Sequence, residues 1–311
     1  MGELTAIIED AGLPAGTPVV VAACGPSGLI AETAAGAWPS GRAVTLNDMF
    51  YAASMTKQVT GAALALLIRR GLVSADASLS AFEMDIPDWA GHATLRQVVQ
   101  HVGGLPAAGV VEERIGSANW TEAVAIAALH ASVAPAAPGS AFVYSNIGYI
   151  LLARVISRVA RQPFPDFVAE HLVAPAGIDG MVFAADLLRF EQTPLLGAKL
   201  PLTIGDGGLW TTARAFARWL DTQNRDVFGI APLVESPGRL NGGAPVDYGF
   251  GIGIRTHRGR PLFVHGCGWT GAAARAIRSP SLGSSAVALA AGGTPEQLNR
   301  LATRALERMT D

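Results

Sequence analysis

Lysine, cysteine and histidine are scarce in this chain of 311 residues. Lysine occurs only twice among 23 basic residues, and the formal net charge is -2 at pH 7. A chain with this balance has no strongly basic face for neutralising phosphates, so nucleic acid is not an expected partner. The two cysteines, Cys24 and Cys267, and the six dispersed histidines lack metal-ligand spacing. We therefore expect neither a metal nor another cofactor.

Long hydrophobic runs and targeting signals are also missing. The longest apolar stretches, such as residues 61–68, stop at charges well short of the roughly 18 residues that a membrane span needs. The first ten residues have no basic region and contain Glu3, Glu9 and Asp10, unlike a secretory signal. We predict a cytoplasmic protein with no membrane partner, and the sequence leaves the oligomeric state open.

Apolar residues are plentiful: 50% of the chain is hydrophobic and only 15% is charged, enough for a sizeable core. Apolar runs and alternation between turn residues predict strands at 17–24, 29–36, 248–256, 261–266, 272–279 and 284–291. Helical spacing predicts helices at 3–12, 56–70, 94–102, 119–131, 146–161, 164–173, 212–222 and 294–308.

This order of elements predicts an α+β fold. An antiparallel sheet is flanked by N- and C-terminal helices, and a mainly helical segment is inserted into it. We place the sheet domain at 1–75 and 205–311, the insertion at 76–204, and an active site between them. The insertion shows little strand pattern.

A possible nucleophile and base lie at the start of the predicted helix 56–70. Residues 53–57 read Ala-Ser-Met-Thr-Lys, which separates Ser54 from Lys57 by three positions. On a helix these positions share a face, so the amine can remove the proton of the serine hydroxyl. The free N–H groups of a helix start favour an oxyanion. The alternative is an N-cap serine with a surface lysine, but this helix is apolar nearly all round, and a buried lysine needs a reason.

A second element lies at 138–149, which reads Pro-Gly-Ser-Ala-Phe-Val-Tyr-Ser-Asn-Ile-Gly-Tyr. Together with the Ser54-x-x-Lys57 pair, it resembles the Tyr-x-Asn element of the class C β-lactamase, DD-peptidase and family VIII carboxylesterase group. The resemblance extends over residues 20–290 and implies a β-lactamase/transpeptidase-like fold. It also implies that Tyr144 shares the general-base role with Lys57 and returns the proton to the leaving group, while Asn146 orients Lys57 and substrate.

The family's third element is a strand motif such as Lys-Thr-Gly or His-x-Gly, and residues 264–271 are the candidate. Aligned from His265, Cys267 replaces the motif glycine, His265 offers a donor or partial positive charge to the substrate, and the Gly268 N–H joins the Ser54 N–H as an oxyanion hole. Aligned from Gly268, the polar first position is lost and the Trp269 N–H takes that place. Cys267 is interpreted as a small packing residue.

The resemblance implies a serine hydrolase that works through an acyl-enzyme on a small ester or amide, and an esterase is favoured. Predicted cytoplasmic location favours an esterase or small-amide hydrolase over a β-lactamase or D-amino-acid-specific peptidase. An acyltransferase, in which an alcohol or amine replaces water, uses the same site. The alternative of another class is a catalytically inert binding protein, but such a protein has no chemical need for Ser54, Lys57, Tyr144 and Asn146 together.

Overall fold

The computed structural model describes residues 2–115, 119–184 and 186–310. Its strands are β1 (Val19–Cys24), β2 (Ile30–Ala35), β3 (Phe50–Tyr51), β4 (Met181–Phe183), β5 (Leu209–Thr211), β6 (Gly238–Arg239), β7 (Pro245–Val246), β8 (Gly253–His257), β9 (Arg260–Trp269), β10 (Ala272–Ser279) and β11 (Ser284–Ala290).

Its α-helices are α1 (Gly2–Glu9), α2 (Thr56–Arg69), α3 (Asp88–Gly91), α4 (Leu95–Val99), α5 (Ala108–Ile115), α6 (Glu122–His130), α7 (Asn146–Ala160), α8 (Phe164–Val168), α9 (Ala213–Asn224), α10 (Ala231–Val234) and α11 (Pro295–Arg308). Short 3-10 turns lie at Ala53–Met55, Leu79–Phe82, Thr193–Leu196 and Pro280–Leu282, and a π-helix lies at Ala169–Val173.

The main sheet has six strands in the order β2-β1-β11-β10-β9-β8, and every neighbouring pair is antiparallel. Side chains alternate along β1: Val19 and Val21 pack with the terminal helices α1 and α11, whereas Val20 and Ala22 join the core on the opposite face. Because helices cover both faces, β1 is buried throughout and reads as an unbroken apolar run.

Helix α2 lies at the centre of the core that contains Val20 and Ala22, on the face of the sheet opposite α1 and α11. Its first twelve residues, from Thr56 to Leu67, are all buried, and it packs against α7. Gly61 permits this packing, because a Cβ atom there would lie 2.2 Å from the carbonyl oxygen of Phe250. The close approach joins α2 to the segment that leads into β8.

The predicted fold class is confirmed: an antiparallel sheet carries the terminal helices, and the middle of the chain is mainly helical. A three-stranded sheet, β3-β5-β4, was not predicted. Its strands have only two or three residues, too few to show alternation. The predicted helix 164–173 is instead α8 followed by the π-helix. Among the described residues, no helix has the length and apolar character to cross a bilayer.

The domain boundaries at 75/76 and 204/205 stay a prediction. One hydrophobic cluster contains sheet residues such as Val20 and Val287 together with Leu129 and Ile150 from the helical part. The two predicted parts thus share a continuous core.

Candidate active site

Ser54 lies in the 3-10 turn between β3 and α2. Its neighbour Ala53 has φ +42°, a left-handed conformation that side chains disfavour. Strand β5 stabilises the turn, because the Ala52 N–H donates to the Leu209 carbonyl at 2.9 Å. Ser54 is half-buried and lines a cleft. A strained backbone next to a serine that faces a cavity is a feature of functional positions.

Lys57 is completely buried and makes three hydrogen bonds. Its Nζ donates to Ser54 Oγ at 3.1 Å, to Asn146 Oδ1 at 2.8 Å and to the Asp206 carbonyl oxygen at 2.9 Å. Three donors meet three acceptors, so the ammonium form is fully satisfied. This geometry joins Ser54, the start of α7 and the loop before β5 at one nitrogen.

The three acceptors are not equivalent. An amide oxygen and a backbone carbonyl can only accept, whereas the Ser54 hydroxyl can both accept and donate. When Lys57 is neutral, its two remaining N–H groups are held by Asn146 and Asp206, and the lone pair points at Ser54. The arrangement can therefore remove the proton of this hydroxyl without moving the amine.

The loop 205–208 presents the Asp206 carbonyl to Lys57. Thr60 in α2 donates its hydroxyl to the Gly205 carbonyl at 2.7 Å, and the Trp120 indole N–H donates to Asp206 Oδ2 at 3.1 Å. Gly205 has φ +101°, which favours glycine. The contact between Lys57 and the Asp206 carbonyl was not predicted. A backbone carbonyl leaves no signal in residue type.

Tyr144 and Asn146 lie where α7 begins. The Tyr144 ring centroid is 5.1 Å from Lys57 Nζ, within range of a cation–π interaction. Behind it lies His101, 4.3 Å from the Tyr144 ring between centroids. The Ser145 N–H donates to His101 Nδ1 at 3.2 Å. His101 therefore contacts both the ring and the backbone of this element.

His101 itself is buried, with φ +59°, just beyond the end of α4. Burial holds the pKa of its imidazole well below the usual value, and the nearby Lys57 and His265 lower it further. The ring is thus neutral, as its acceptance of the Ser145 N–H also requires.

His265 lies on β9 and faces the same cleft, but both of its ring nitrogens are hydrogen-bonded within the protein. Nδ1 lies 2.8 Å from the Gly266 carbonyl oxygen, which can only accept, so Nδ1 carries the proton. Burial, with the charge of Lys57, lowers the pKa of His265 to about 3. In this neutral form Nε2 accepts from the Tyr248 hydroxyl at 3.0 Å.

Tyr248 was not predicted as a site residue. It is buried, lines the cleft and packs against His101, with 4.7 Å between ring centroids. It lies 17 residues before His265 in the chain. A single tyrosine in a Tyr-Gly-Phe-Gly segment gives no sign of this partner, because the contact depends on how the chain folds back between 248 and β9.

Cys267 and Gly268 follow His265 on β9. Cys267 is 5% exposed, and burial raises the pKa of its thiol to about 12, so the thiol stays protonated. This agrees with a packing role. Gly268 is exposed and lines the cleft with Ser54. β9 packs against the turn that carries Ser54. The choice between the Gly268 and Trp269 N–H groups as an oxyanion donor stays a prediction.

The cleft has a volume of about 530 Å³. Ser54 and Asn146 line it on the α2 and α7 side, β9 forms the opposite side, and aromatic rings from Phe142, Tyr144 and Tyr248 add apolar wall. This size suits a small organic molecule. Within the described residues there is no group of three or more histidine, cysteine or acidic side chains with metal-binding geometry.

Residues 13–308 match the family model described as Beta-lactamase. The chain belongs to the beta-lactamase family. The family and fold implied by the sequence motifs are thereby confirmed.

Two relatives and one solved structure are informative about this beta-lactamase-family protein. A penicillin-binding protein of Bacillus subtilis is 25% identical over 276 residues, which cover 76% of this chain and 59% of that protein. A D-aminopeptidase of Cereibacter sphaeroides is 25% identical over 144 residues, 42% of this chain and 28% of that protein. The chain thus spans less than two thirds of both relatives.

The solved structure is that of D-amino acid amidase from Ochrobactrum anthropi. It superposes with a TM-score of 0.82 at 18% identity, over 99% of this chain and 98% of that chain. At this identity the similarity establishes the fold.

Proposed function

We propose that this beta-lactamase-family protein hydrolyses small amides or peptides of D-amino acids through an acyl-enzyme on Ser54. The observation that carries the proposal is the three-fold hydrogen bonding of Lys57, which directs one position of its amine at the Ser54 hydroxyl. The D configuration and the amide bond are supported by the names of the D-aminopeptidase and D-amino acid amidase relatives.

In the proposed acylation step, Ser54 Oγ attacks the substrate carbonyl carbon while its proton passes to neutral Lys57, with Tyr144 sharing the role of base. The Ser54 and Gly268 N–H groups stabilise the tetrahedral oxyanion. As the C–N bond breaks, the proton returns through Tyr144 to the leaving amine, and the acyl group stays on Ser54.

In the proposed deacylation step, water attacks the Ser54 ester and gives its proton to the same base. The C–O bond to Ser54 breaks, Ser54 recovers its proton, and the free acid leaves. An alcohol or amine in place of water would give acyl transfer through the same intermediate.

Sequence reasoning alone favoured an esterase, on the basis of a predicted cytoplasmic location. The names of the relatives move the proposal from esters to amides. Activated esters still acylate the same serine, because p-nitrophenolate is a better leaving group than an amine. They therefore serve as substrates for testing the chemistry of the site without committing to its natural substrate.

The test is a parallel screen of D- and L-phenylalaninamide, a D-alanyl peptide, a chromogenic cephalosporin and p-nitrophenyl acetate. We expect the D-amide to exceed the L-amide in kcat/KM. We expect Ser54→Ala and Lys57→Met to lose about 1,000-fold or more in kcat. The matched control is Ser80→Ala, because Ser80 is an exposed serine whose hydroxyl is hydrogen-bonded to the Ser78 hydroxyl.

Two results would contradict the proposal. Ser54→Ala with parental rates on every substrate would exclude the nucleophile. Turnover of esters with no preference for the D-amide would exclude the substrate class while keeping the nucleophile. Labelling by an activated phosphonate, mapped to the peptide with Ser54, separates these outcomes.

A further inference from the structure

Gln192 lies just before the 3-10 turn Thr193–Leu196 and is completely buried. Its side-chain amide joins two segments that are far apart in the chain. Oε1 accepts from the Tyr51 N–H at 2.7 Å, and Nε2 donates to the Gly271 carbonyl oxygen at 2.8 Å. A backbone N–H can only donate and a carbonyl oxygen can only accept, so a single orientation of the amide satisfies both. The two hydrogen bonds therefore fix this side chain between the two backbones.

Both partners of Gln192 belong to segments that carry candidate oxyanion donors. Tyr51 ends β3, and the chain continues directly into the turn that presents Ser54. Gly271 lies in the turn between β9 and β10, just after the two β9 N–H groups that the sequence offers as the second donor. The amide of Gln192 thus connects the turn of the nucleophile to the end of β9, whichever of those two N–H groups is the donor.

The segment that follows Gln192 holds the same end of β9 through two more contacts. The Trp269 indole N–H donates to the Leu196 carbonyl at 3.2 Å. Gly271 has φ +67°, and a Cβ atom there would lie 1.9 Å from the Leu195 carbonyl oxygen, so the close contact requires glycine. The end of β9 is therefore packed and hydrogen-bonded against residues 192–196.

An oxyanion hole depends on the separation of its two N–H donors. Each donor must lie about 2.7–3.1 Å from the position that the oxyanion occupies, and loss of one donor costs about 100- to 1,000-fold in kcat. Here the two donors come from different elements, so their separation depends on what connects the Ser54 turn to the end of β9. Gln192 makes such a connection without lining the cleft itself.

We infer that Gln192 is a positioning residue that sets the separation of the Ser54 and β9 N–H donors of the oxyanion hole. This inference rests on the proposed function, because it concerns the tetrahedral intermediate of that reaction. A residue that only stabilises the fold would change the melting temperature and leave the binding of a tetrahedral adduct unchanged. The two roles are therefore separable by experiment.

The test compares Gln192→Met and Gln192→Glu with the parent chain in acylation by p-nitrophenyl acetate at about pH 5.5. Methionine is similar in size but cannot make both hydrogen bonds, so the acylation rate should fall about 10- to 100-fold. Burial raises the pKa of a carboxyl group, so the side chain in Gln192→Glu is protonated at this pH and keeps one acceptor and one donor. We expect Gln192→Glu to stay within about threefold of the parent rate.

The second readout is the affinity for phenylboronic acid, whose tetrahedral adduct with Ser54 resembles the intermediate. This affinity should fall in each variant by about the same factor as the acylation rate. Trp269→Phe is an independent variant, because it removes the hydrogen bond to Leu196 and keeps an aromatic ring. It should lower both quantities about three- to tenfold.

Gln223→Met is the matched control, because Gln223 is also buried but lies on α9 and does not line the cleft. It should keep the parent rate within about twofold. Far-UV dichroism and a melting curve verify that each variant is folded. If Gln192→Met does not fold, Trp269→Phe decides in its place.

Parent rates in Gln192→Met or Trp269→Phe would overturn the inference. So would a Gln192→Glu rate no higher than that of Gln192→Met, a boronate affinity that stays constant while acylation slows, or an equal loss in Gln223→Met. The proposed function is judged separately: a parent rate in Ser54→Ala removes the nucleophile. A rate that depends on Ser54 but not on Gln192 removes only this inference.

Discussion

Asn146→Ala tests how Lys57 is activated. Asn146 Oδ1 accepts one of the two protons that neutral Lys57 keeps, at 2.8 Å, and the Asp206 carbonyl accepts the other at 2.9 Å. Without the amide oxygen, the amine can rotate and its lone pair is no longer held toward Ser54. The expected defect is therefore in the acylation rate, with the fold preserved.

The size of this defect follows from the type of bond. During acylation the Ser54 proton passes to Lys57, and a hydrogen bond to the charged ammonium that forms contributes about 1.5–3 kcal/mol. Since about 1.4 kcal/mol corresponds to tenfold in rate, the acylation rate should fall roughly 10- to 100-fold. Asn146→Asp should lose more at neutral pH, because a carboxylate beside Lys57 stabilises the ammonium form, and it should recover toward alkaline pH.

The assay is stopped-flow acylation by a p-nitrophenyl ester, which isolates the first chemical step from product release. Asn119→Ala is the control: the Asn119 amide oxygen also accepts one hydrogen bond, from the Leu200 N–H at 2.9 Å, but does not contact Lys57. An Asn146→Ala rate within about twofold of the parent would refute the reasoning, because the lone pair would then need no such restraint. An Asn146→Asp variant with an unchanged pH profile would do the same.

Three further predictions concern stability. Gly61→Ala should lower the free energy of unfolding, measured by chemical denaturation, by about 1–3 kcal/mol or more, because the new Cβ would lie 2.2 Å from the Phe250 carbonyl oxygen. Helix propensity alone predicts a gain in stability. Glu235→Ala should lower the free energy of unfolding by about 3–5 kcal/mol, because buried Arg278 loses the Glu235 carboxylate that lies 2.6 Å from its guanidinium. An unchanged melting temperature would contradict this. The pKa of His265 is about 3 against the usual 6.5, so between these pH values the unfolded chain binds a proton there that the folded chain does not. The free energy of unfolding should therefore fall by up to about 1.4 kcal/mol per pH unit from pH 6.5 toward 3. His265→Gln should reduce that slope.

Elements with a strong local pattern were predictable. The predicted strands 17–24 and 272–279 correspond to β1 and β10. The predicted helix 294–308 corresponds to α11, whose Thr294 and Gln297 form a capping box. The spacing of Ser54 and Lys57 was equally informative, because a helix brings positions three apart to one face.

What could not be predicted depends on tertiary contacts. The Asp206 carbonyl contributes through its backbone, so residue type carries no information about it. The hydrogen bond between Tyr248 and His265 exists only after the chain folds back onto β9. The alignment from His265 predicts a donor or partial positive charge toward the substrate, whereas in the folded chain its Nε2 is hydrogen-bonded to Tyr248 and its Nδ1 to the Gly266 carbonyl.

These missed contacts change the interpretation of the strand β9. In the Lys-Thr-Gly form of this motif, the first position supplies a positive charge; here it supplies a neutral ring fixed within a tyrosine–histidine pair. Electrostatic attraction for an anionic substrate must then come from elsewhere in the cleft. Among the residues that line it, the charged side chains are Arg255 and Arg275, on the strands either side of β9.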